Sequence, residues 1–329
     1  MQQITNTPSL RAQVITRRTY NRPLIEGGFE SWEQTVDRVI GHQAWLWERA
    51  DPDVTRWDST QEELRELKQL MLDRKVLTSG RTLWLGGTEV AKKREASQFN
   101  CSFTNIETVM DCVDALWLLL QGCGVGFRPI VGQLTGYQKP IPKLTVVRSV
   151  RTEKGGAAHN EETFDATTGV WTIKVGDSAE AWAKSIGKLV AHKFPARELV
   201  LDFSEIRPSG DRLAGYGWIS SGDASLCKAY TAIHKLLNRR AGSLLTRMNI
   251  LDLVNWMGTV LSSRRSAEIA LFTFGEDEWE QFAVAKKDFW IANEQRAQSN
   301  NSLVFNTKPL KTELEKIFGL MVASGGSEP

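Results

Sequence analysis

The stretch from Gln98 to Phe127, QFNCSFTNIETVMDCVDALWLLLQGCGVGF, places the strongest constraint on how this chain folds. Its apolar pattern predicts a strand over 99–106, a helix over 109–121 and a second strand over 125–130. A strand, a helix and a strand within about 30 residues have the length of a parallel crossover unit. Parallel sheets are buried on both faces, so the rest of the chain must supply covering helices. The stretch therefore predicts an α/β fold.

Helical patterns precede this stretch, and strands alternate with helices after it. After an irregular lead-in, Ser31 is predicted to cap a helix that reaches about Ala50, and Ser59 with Glu62 has the spacing of a capping box. The Gly-rich segment over 78–88 is predicted to form tight turns. The later strands are expected over 144–150, 170–175, 199–204, 267–272 and 301–306, and the later helices over 178–192, with Asp177 and Glu180 at its cap, and over 224–239, 250–261, 276–286 and from Pro309 onward.

The composition excludes several classes of protein. The chain has 329 residues, 41% of them hydrophobic, and a formal net charge of +2. Such a charge gives no electrostatic reason to expect a nucleic-acid or membrane-surface partner. The first residues are polar, and four widely spaced cysteines do not make a disulfide framework. We therefore expect a globular protein of the cytoplasm with no membrane partner.

The cysteines differ in their surroundings. Cys112, Cys123 and Cys227 have apolar neighbours and are interpreted as buried, inert thiols. Cys101 stands between Asn100 and a serine at the start of a strand, which makes it the candidate for a reactive thiol. The glycines of GCGVG resemble a dinucleotide fingerprint, but they follow a helix and precede a strand, the reverse of the order that fingerprint requires.

Other motifs are weaker. The four histidines are isolated, and there is no C-x-x-C, H-E-x-x-H or G-x-S-x-G, so neither a metal site nor a serine-hydrolase site is predicted. Arg264 and Arg265 precede a strand, where two guanidiniums suit a polyphosphate or a base edge, or merely a solvated loop. The SNNS segment at 299–302 either places amide side chains at a strand end or makes a turn.

Taken together, these segments resemble one known family. The pieces RTYNRPL, SWEQTVDRVI, SGRTLWLGGT, FNCSF, QGCGVGF, LDFSEIRPSG, NRRAGSLLT, RRSAEIAL and SNNSLVF occur in the order found in the monomeric, adenosylcobalamin-dependent (class II) ribonucleoside-triphosphate reductases. The resemblance implies a helical cap over 1–77, followed over 78–329 by the first half of a ten-stranded α/β barrel. It also implies an effector-binding region over about 109–270.

The resemblance implies an oxidoreductase that replaces the 2′-hydroxyl of a ribonucleoside triphosphate with hydrogen by thiyl-radical chemistry, for DNA synthesis. A cysteine pair supplies the electrons and ends as a disulfide, and Cys101 matches its first member. The matching substrate-binding residues are Ser79, Arg81, Thr82, Asn300 and Asn301. The matching effector-binding residues, for a deoxynucleoside triphosphate, are Asp111, Asp114, Arg264 and Arg265.

Several parts of the family's machinery do not occur in this sequence. The N-P-C-G-E motif with the thiyl cysteine, the second redox cysteine and most of the adenosylcobalamin site have no match. The leading hypothesis is therefore an N-terminal half, from a split gene or an intein-interrupted one, that is inactive alone. It would act with a C-terminal half, which binds most of the cofactor, and with a thioredoxin-type reductant. The alternatives are an inactive remnant that only binds nucleotides and an unrelated α/β thiol enzyme.

Overall fold

The structure is a computed structural model, and it describes residues 8–153, 155–213, 215–261 and 268–329. The chain divides into two compact units. Unit 1 comprises Met1–Asn100 and Leu213–Trp218, and unit 2 comprises Cys101–Arg212 and Ile219–Pro329.

Unit 1 is helical in its described part. Its helices are α1 Leu10–Thr19, α2 Trp32–Ala50, α3 Asp58–Leu72, α4 Gly80–Leu85 and α5 Glu89–Lys93, with 3₁₀ turns at Val54–Arg56 and Glu95–Gln98. The predicted cap of α2 is confirmed, because the Ser31 hydroxyl accepts the N–H of Gln34 and the Gln34 side chain accepts the N–H of Ser31. The predicted irregular lead-in is wrong, since α1 is a regular helix capped by Ser9.

Two further expectations for unit 1 are corrected. Helix α3 begins one residue earlier than predicted, with Trp57 at its N-cap and no side-chain cap, so Ser59 lies inside the first turn and makes no capping box. The segment over 78–88 contains the short helix α4, whose N-cap is Ser79, where turns were predicted. The sequence pattern failed here because six residues are too few to show a helical period.

The segment Leu213–Trp218 joins unit 1 although it lies far along the chain. The indole N–H of Trp84 donates to the carbonyl oxygen of Tyr216 at 2.8 Å, and the guanidinium of Arg22 donates to the same oxygen at 2.8 Å. Tyr216 and Trp218 are buried against Leu85. Backbone carbonyls and aromatic rings therefore hold this segment in unit 1, a contact that local sequence patterns do not reveal.

Unit 2 contains eight strands and seven helices in its described part. They are β1 Cys101–Ile106, α6 Val109–Leu120, β2 Gly124–Pro129, β3 Lys143–Val147, β4 Glu161–Asp165, β5 Val170–Lys174, α7 Ala179–Ala191, β6 Glu198–Asp202, α8 Ala224–Arg239, α9 Arg247–Gly258, β7 Glu268–Thr273, α10 Trp279–Ala283, α11 Phe289–Ala292, β8 Ser299–Val304 and α12 Lys311–Ser324. The predicted unit of β1, α6 and β2 is confirmed, with β1 and β2 parallel. The α/β class is likewise confirmed.

The strands form two sheets of four. The first has the order β1-β2-β7-β8 and is parallel throughout. The second has the order β3-β6-β5-β4, in which only β4 and β5 are antiparallel. No strand was predicted at β4, because its residues EETFD alternate too weakly to indicate one. The cap of α7 also differs from the prediction: Ser178 accepts the N–H of Ala181 in the place assigned to Asp177.

Helices cover one face of the parallel sheet. Val125, Phe127, Ala270 and Phe272 alternate along β2 and β7 and are each 0–1% exposed. Their neighbours on the opposite face remain accessible, and Ile269 keeps 46% of its surface exposed. The parallel sheet therefore has a packed face and an open face.

Candidate active site on the open face of the parallel sheet

The amino ends of the four parallel strands bring two predicted site residues to one open face. Cys101 begins β1 and is exposed, and Asn300 is exposed on β8. The register places Phe103, Gly126, Ile269 and Asn300 in one row across the sheet, and Cys101 stands one strand period before Phe103. With strands about 4.8 Å apart, this row spans about 14 Å from β1 to β8.

The thiol of Cys101 differs from the other three. All four cysteines, each among the described residues, are free thiols, and only Cys101 is exposed. Burial raises the pKa of Cys112 to about 12. Burial and then the charge of Asp223 raise the pKa of Cys227 to about 11. The buried thiols are therefore unreactive, as the sequence predicted, and Cys101 is the thiol that a ligand on the open face can reach.

The two neighbouring asparagines occupy opposite faces. Asn300 is exposed on the open face, whereas Asn301 is 5% exposed and lies on the packed side. The amide oxygen of Asn301 accepts the hydroxyl of Ser299 at 3.0 Å, and its backbone N–H donates to Glu328 at 3.0 Å. The amide of Asn300 is therefore the one placed to meet a ligand directly.

The other predicted substrate residues lie in unit 1. Ser79 is the N-cap of α4, and its hydroxyl accepts the N–H of Thr82 at 3.2 Å and lies 3.1 Å from the Thr82 hydroxyl. The guanidinium carbon of Arg81 lies 5.9 Å from the ring centroid of Trp218. Ser79 is exposed and the other two are half-buried, so all three present polar atoms at the surface of unit 1.

The predicted effector residues on α6 have unequal roles. One carboxylate oxygen of Asp111 accepts the N–H of Glu107 at 3.1 Å, and the N–H and hydroxyl of Thr108 at 2.7 and 2.8 Å. Asp111 thus completes a capping box. Asp114 lies one turn later and is exposed. Partial desolvation of its carboxyl group, and to a smaller extent the charge of Asp111, raises its pKa. Arg264 and Arg265 lie outside the described residues.

Ion pairs organise the second sheet. Glu205 pairs with Arg151 at 2.5 Å and Lys174 at 2.8 Å. The Lys174 ammonium and the N–H of Ala157 lower the pKa of Glu205 to about 2. Asp177 likewise pairs with Arg207 at 2.7 Å. Through Arg151 and Ala157, Glu205 holds the loop between β3 and β4 to the segment after β6, and the other two pairs join that segment to β5 and the residues after it.

One polar group beside this face was missed by the sequence analysis. Glu268 begins β7 and is 2% exposed, and its carboxylate oxygen Oε2 lies 2.8 Å from the Asn255 side-chain nitrogen. Burial raises its pKa to about 8, while the contact with Asn255 opposes that rise. The signal available in the sequence was an acidic residue inside the apolar strand AEIALF.

The described residues contain neither a metal-ion cluster nor a helix that could span a membrane. Across residues 8–153, 155–213, 215–261 and 268–329, no three His, Cys, Asp or Glu side chains are grouped so as to hold a metal ion. No helix in the part of the chain described here is both long and apolar enough to cross a membrane.

Comparisons with known proteins identify two domains. The family profile of the ribonucleotide reductase alpha domain matches residues 2–88. The profile of the insertion domain of B12-dependent ribonucleotide reductases matches residues 147–237, which include the strands β4, β5 and β6 of the second sheet. Most of the second sheet therefore lies in a segment that is inserted between strands β2 and β7 of the parallel sheet.

Individual relatives agree with these domains. The adenosylcobalamin-dependent ribonucleoside-triphosphate reductase of Lacticaseibacillus paracasei is 31% identical over 90% of this chain, and that of Euglena gracilis is 28% identical over 88%. These matches cover 45% and 38% of the two relatives. A crystal structure of a B12-dependent (class II) ribonucleotide reductase superimposes with a TM-score of 0.70 and 25% identity, over 88% of this chain and 45% of that one.

The chain thus spans less than half the length of these relatives. These matches are all to ribonucleotide reductases. Residues 2–88 are similar to the ribonucleotide reductase alpha domain and residues 147–237 to the insertion domain of B12-dependent ribonucleotide reductases, and the chain is similar to these enzymes over about 90% of its own length.

Proposed function

We propose that this chain forms the N-terminal part of an adenosylcobalamin-dependent ribonucleoside-triphosphate reductase and supplies one of its two redox thiols, Cys101. One observation carries the proposal: Cys101 is the only exposed cysteine, at the amino end of a parallel strand on the open face of the sheet. A thiol at that position is accessible both to a nucleotide and to a second thiol. Further sequence, in the same polypeptide or in a second one, supplies the rest of the active site.

The chemistry assigned to Cys101 balances as a dithiol reduction. Two thiols lose their hydrogens and form one S–S bond, and the two electrons released replace the C2′–O bond of the ribose by a C2′–H bond. The hydroxyl leaves as water, so a ribonucleoside triphosphate becomes a deoxyribonucleoside triphosphate. A thioredoxin-type dithiol then reduces the disulfide by exchange and restores the Cys101 thiol.

The other proposed roles follow from the placement of each residue. Asn300 is exposed beside its register partner Ile269, and it forms hydrogen bonds with the substrate. Asn301 supports Asn300 from the packed side of the sheet. Ser79, Arg81 and Thr82 are proposed as substrate-binding residues because the resemblance to the family implies that role. Asp114, together with Arg264 and Arg265, binds the deoxynucleotide effector. A carboxylate repels phosphates, so Asp114 faces the sugar or base of that effector.

The cofactor is assigned mainly to sequence outside this chain. The relatives are named as adenosylcobalamin-dependent, and most of the family's adenosylcobalamin site has no match in this sequence. When bound, the cofactor supplies the radical that starts the reaction. The residues of this chain act on the nucleotide and on the disulfide.

The test is reduction of ribonucleoside triphosphates by the chain together with the remaining reductase sequence of the same genome. We expect cobalamin-dependent formation of deoxynucleotide, which Cys101→Ser abolishes under multiple turnover. Cys227→Ala is the matched control, because this buried thiol lies on α8 and should leave turnover unchanged. Binding of deoxynucleotides without any turnover would instead support an inactive remnant. Equal turnover by the wild type and Cys101→Ser would overturn the role of Cys101.

A further inference from the structure

The open face of the parallel sheet carries an exposed aromatic side chain beside Cys101. Phe103 lies on β1, two residues after Cys101, and 56% of its surface is exposed. Side chains two residues apart on a strand share a face and stand about 6.7 Å apart along it. The ring of Phe103 and the thiol of Cys101 are therefore neighbours on the face where the nucleotide is proposed to bind.

The glycine beside Phe103 lets its ring lie close to the sheet. Gly126 on β2 is the register partner of Phe103. A Cβ atom on Gly126 would stand 3.0 Å from Cδ2 of Phe103, which is shorter than the about 3.5–4.0 Å of a favourable carbon contact. The ring therefore leans over β2, into space that a side chain at position 126 would need. Gly124, the register partner of Cys101, likewise leaves the strand beside the thiol without a side chain.

The ring of Phe103 forms the main part of an apolar surface, which we call the Phe103 platform. It consists of this ring, the backbone of Gly126 and the side chain of Ile269, which is 46% exposed on β7. Polar groups stand on two sides of the platform, the thiol of Cys101 on β1 and the exposed amide of Asn300 on β8. An apolar surface with a few polar groups at its margin suits a nucleoside, whose base has apolar faces and polar edges.

Stacking on an aromatic ring is the contact that this surface offers to a base. Every base has a π-face, so stacking holds purines and pyrimidines alike and does not depend on the polar groups at their edges. A base that lies on the Phe103 ring also brings its own ribose near the neighbouring thiol of Cys101. The platform can thus hold the nucleoside in place without selecting among the bases.

We propose that Phe103 is a substrate-binding residue: its ring, seated over Gly126, stacks on the base of the ribonucleoside triphosphate and so holds the ribose beside Cys101. This role rests on the proposed function for the identity of the substrate. The competing occupant of the platform is a side chain of the remaining reductase sequence, and the experiments below distinguish the two.

The kinetic test uses the assembled reductase with ATP and with CTP as substrates. Phe103→Leu keeps an apolar side chain but removes the ring, so the KM should rise about tenfold for both nucleotides while kcat stays nearly unchanged. Phe103→Tyr restores a ring and should restore the KM. Phe318→Leu is the matched control, because Phe318 is also 56% exposed but lies on α12, and it should leave the KM unchanged.

Two results of this test would overturn the proposal. One is a KM in Phe103→Leu equal to that of the wild type. The other is a KM that rises in Phe103→Tyr as much as in Phe103→Leu, since a lost ring cannot then be the cause. Because Phe103 is exposed, Phe103→Leu should unfold in urea like the wild type, so a raised KM reports on binding.

Gly126→Ala tests the seat of the ring. Its methyl group displaces the Phe103 ring, so the KM should rise in the wild-type background. The same change should add little to the KM of Phe103→Leu, because the ring that it displaces is already gone. Equal effects in the two backgrounds would contradict the claim that Gly126 acts through Phe103.

Binding is measured apart from turnover by ¹⁹F NMR of 4-fluorophenylalanine placed at position 103 of the assembled reductase. Adding ATP or CTP without adenosylcobalamin or reductant should shift this signal, whereas the same label at position 318 should keep its signal. A label at position 103 that does not respond to either nucleotide would show that protein covers the ring, and would overturn the proposal.

The two measurements separate this role from the proposed function. If the signal at position 103 shifts but no deoxynucleotide forms, the proposed function fails and the nucleoside site on the Phe103 platform stands. If deoxynucleotide forms and Phe103→Leu has the kinetics of the wild type, the proposed function stands and the role of Phe103 fails.

Discussion

Replacing Glu268 by glutamine should change the pH dependence of the stability of unit 2. The pKa of Glu268 is raised from 4.5 to about 8 in the folded chain. Between pH 4.5 and pH 8 Glu268 is protonated in the folded state and ionised in the unfolded state. Its contribution to the free energy of unfolding is therefore full below pH 4.5 and is lost as the pH rises toward 8. Each pH unit in this window costs about 1.4 kcal/mol, which amounts to roughly 5 kcal/mol across the window.

Unfolding in urea is measured at half-unit steps from pH 5 to 8.5. Hydrogen exchange in peptides that cover β7 and β8 monitors this unfolding, so that the stability of unit 2 is the quantity observed. The free energy of unfolding of the wild type should fall with pH relative to that of Glu268→Gln, and the two curves should become parallel above pH 8. Glu294→Gln, which changes an exposed carboxylate, serves as the control and should follow the wild type. Parallel curves for the wild type and Glu268→Gln from pH 5 onward would refute the claim that Glu268 is buried as a neutral acid.

Four further substitutions test the fold and the effector region. Gly187→Ala should lower the free energy of unfolding by about 1–3 kcal/mol, because its Cβ would stand 2.6 Å from a side-chain atom of α6; an unchanged urea midpoint would contradict this packing. Asp111→Ala removes the half of the α6 capping box that Asp111 supplies and should cost about 1 kcal/mol in thermal unfolding. Asp114→Asn should leave stability within about 0.5 kcal/mol yet weaken deoxynucleotide binding about tenfold by calorimetry. Arg38→Leu leaves Glu30 without its bidentate partner and should destabilise unit 1 by about 3–5 kcal/mol in urea; a loss below about 1 kcal/mol would count against this pair as a structural link.

Local patterns predicted the elements that carry a strong period or a clear cap. The strand, helix and strand between Cys101 and Pro129 were predicted, as was the cap at Ser31, because apolar spacing and capping chemistry act over a few residues. Strand β4 was missed since its outward residues are charged and its length is five. The membership of Leu213–Trp218 in unit 1 was also missed, because the carbonyl of Tyr216 is held by groups more than a hundred residues away.

Part of the candidate site was also predictable, because the neighbours of a cysteine in the sequence indicate whether its thiol is exposed or buried. Exposure of Cys101 followed from its polar neighbours at a strand start, and burial of the other thiols followed from their apolar neighbours. The opposite orientations of Asn300 and Asn301 depend on which face the helices cover, which the sequence did not determine. Glu268 became visible only when α9 and β8 were brought beside it, since its environment is made by residues distant in sequence from one another.

The most direct test of the account is the redox state of Cys101 after one turnover. The assembled reductase is given adenosylcobalamin and a ribonucleoside triphosphate without external reductant, and its cysteines are mapped by mass spectrometry after blocking free thiols. We expect Cys101 to be found in a disulfide with a cysteine of the remaining reductase sequence, in proportion to the deoxynucleotide formed. Deoxynucleotide formed while Cys101 stays a free thiol would contradict it.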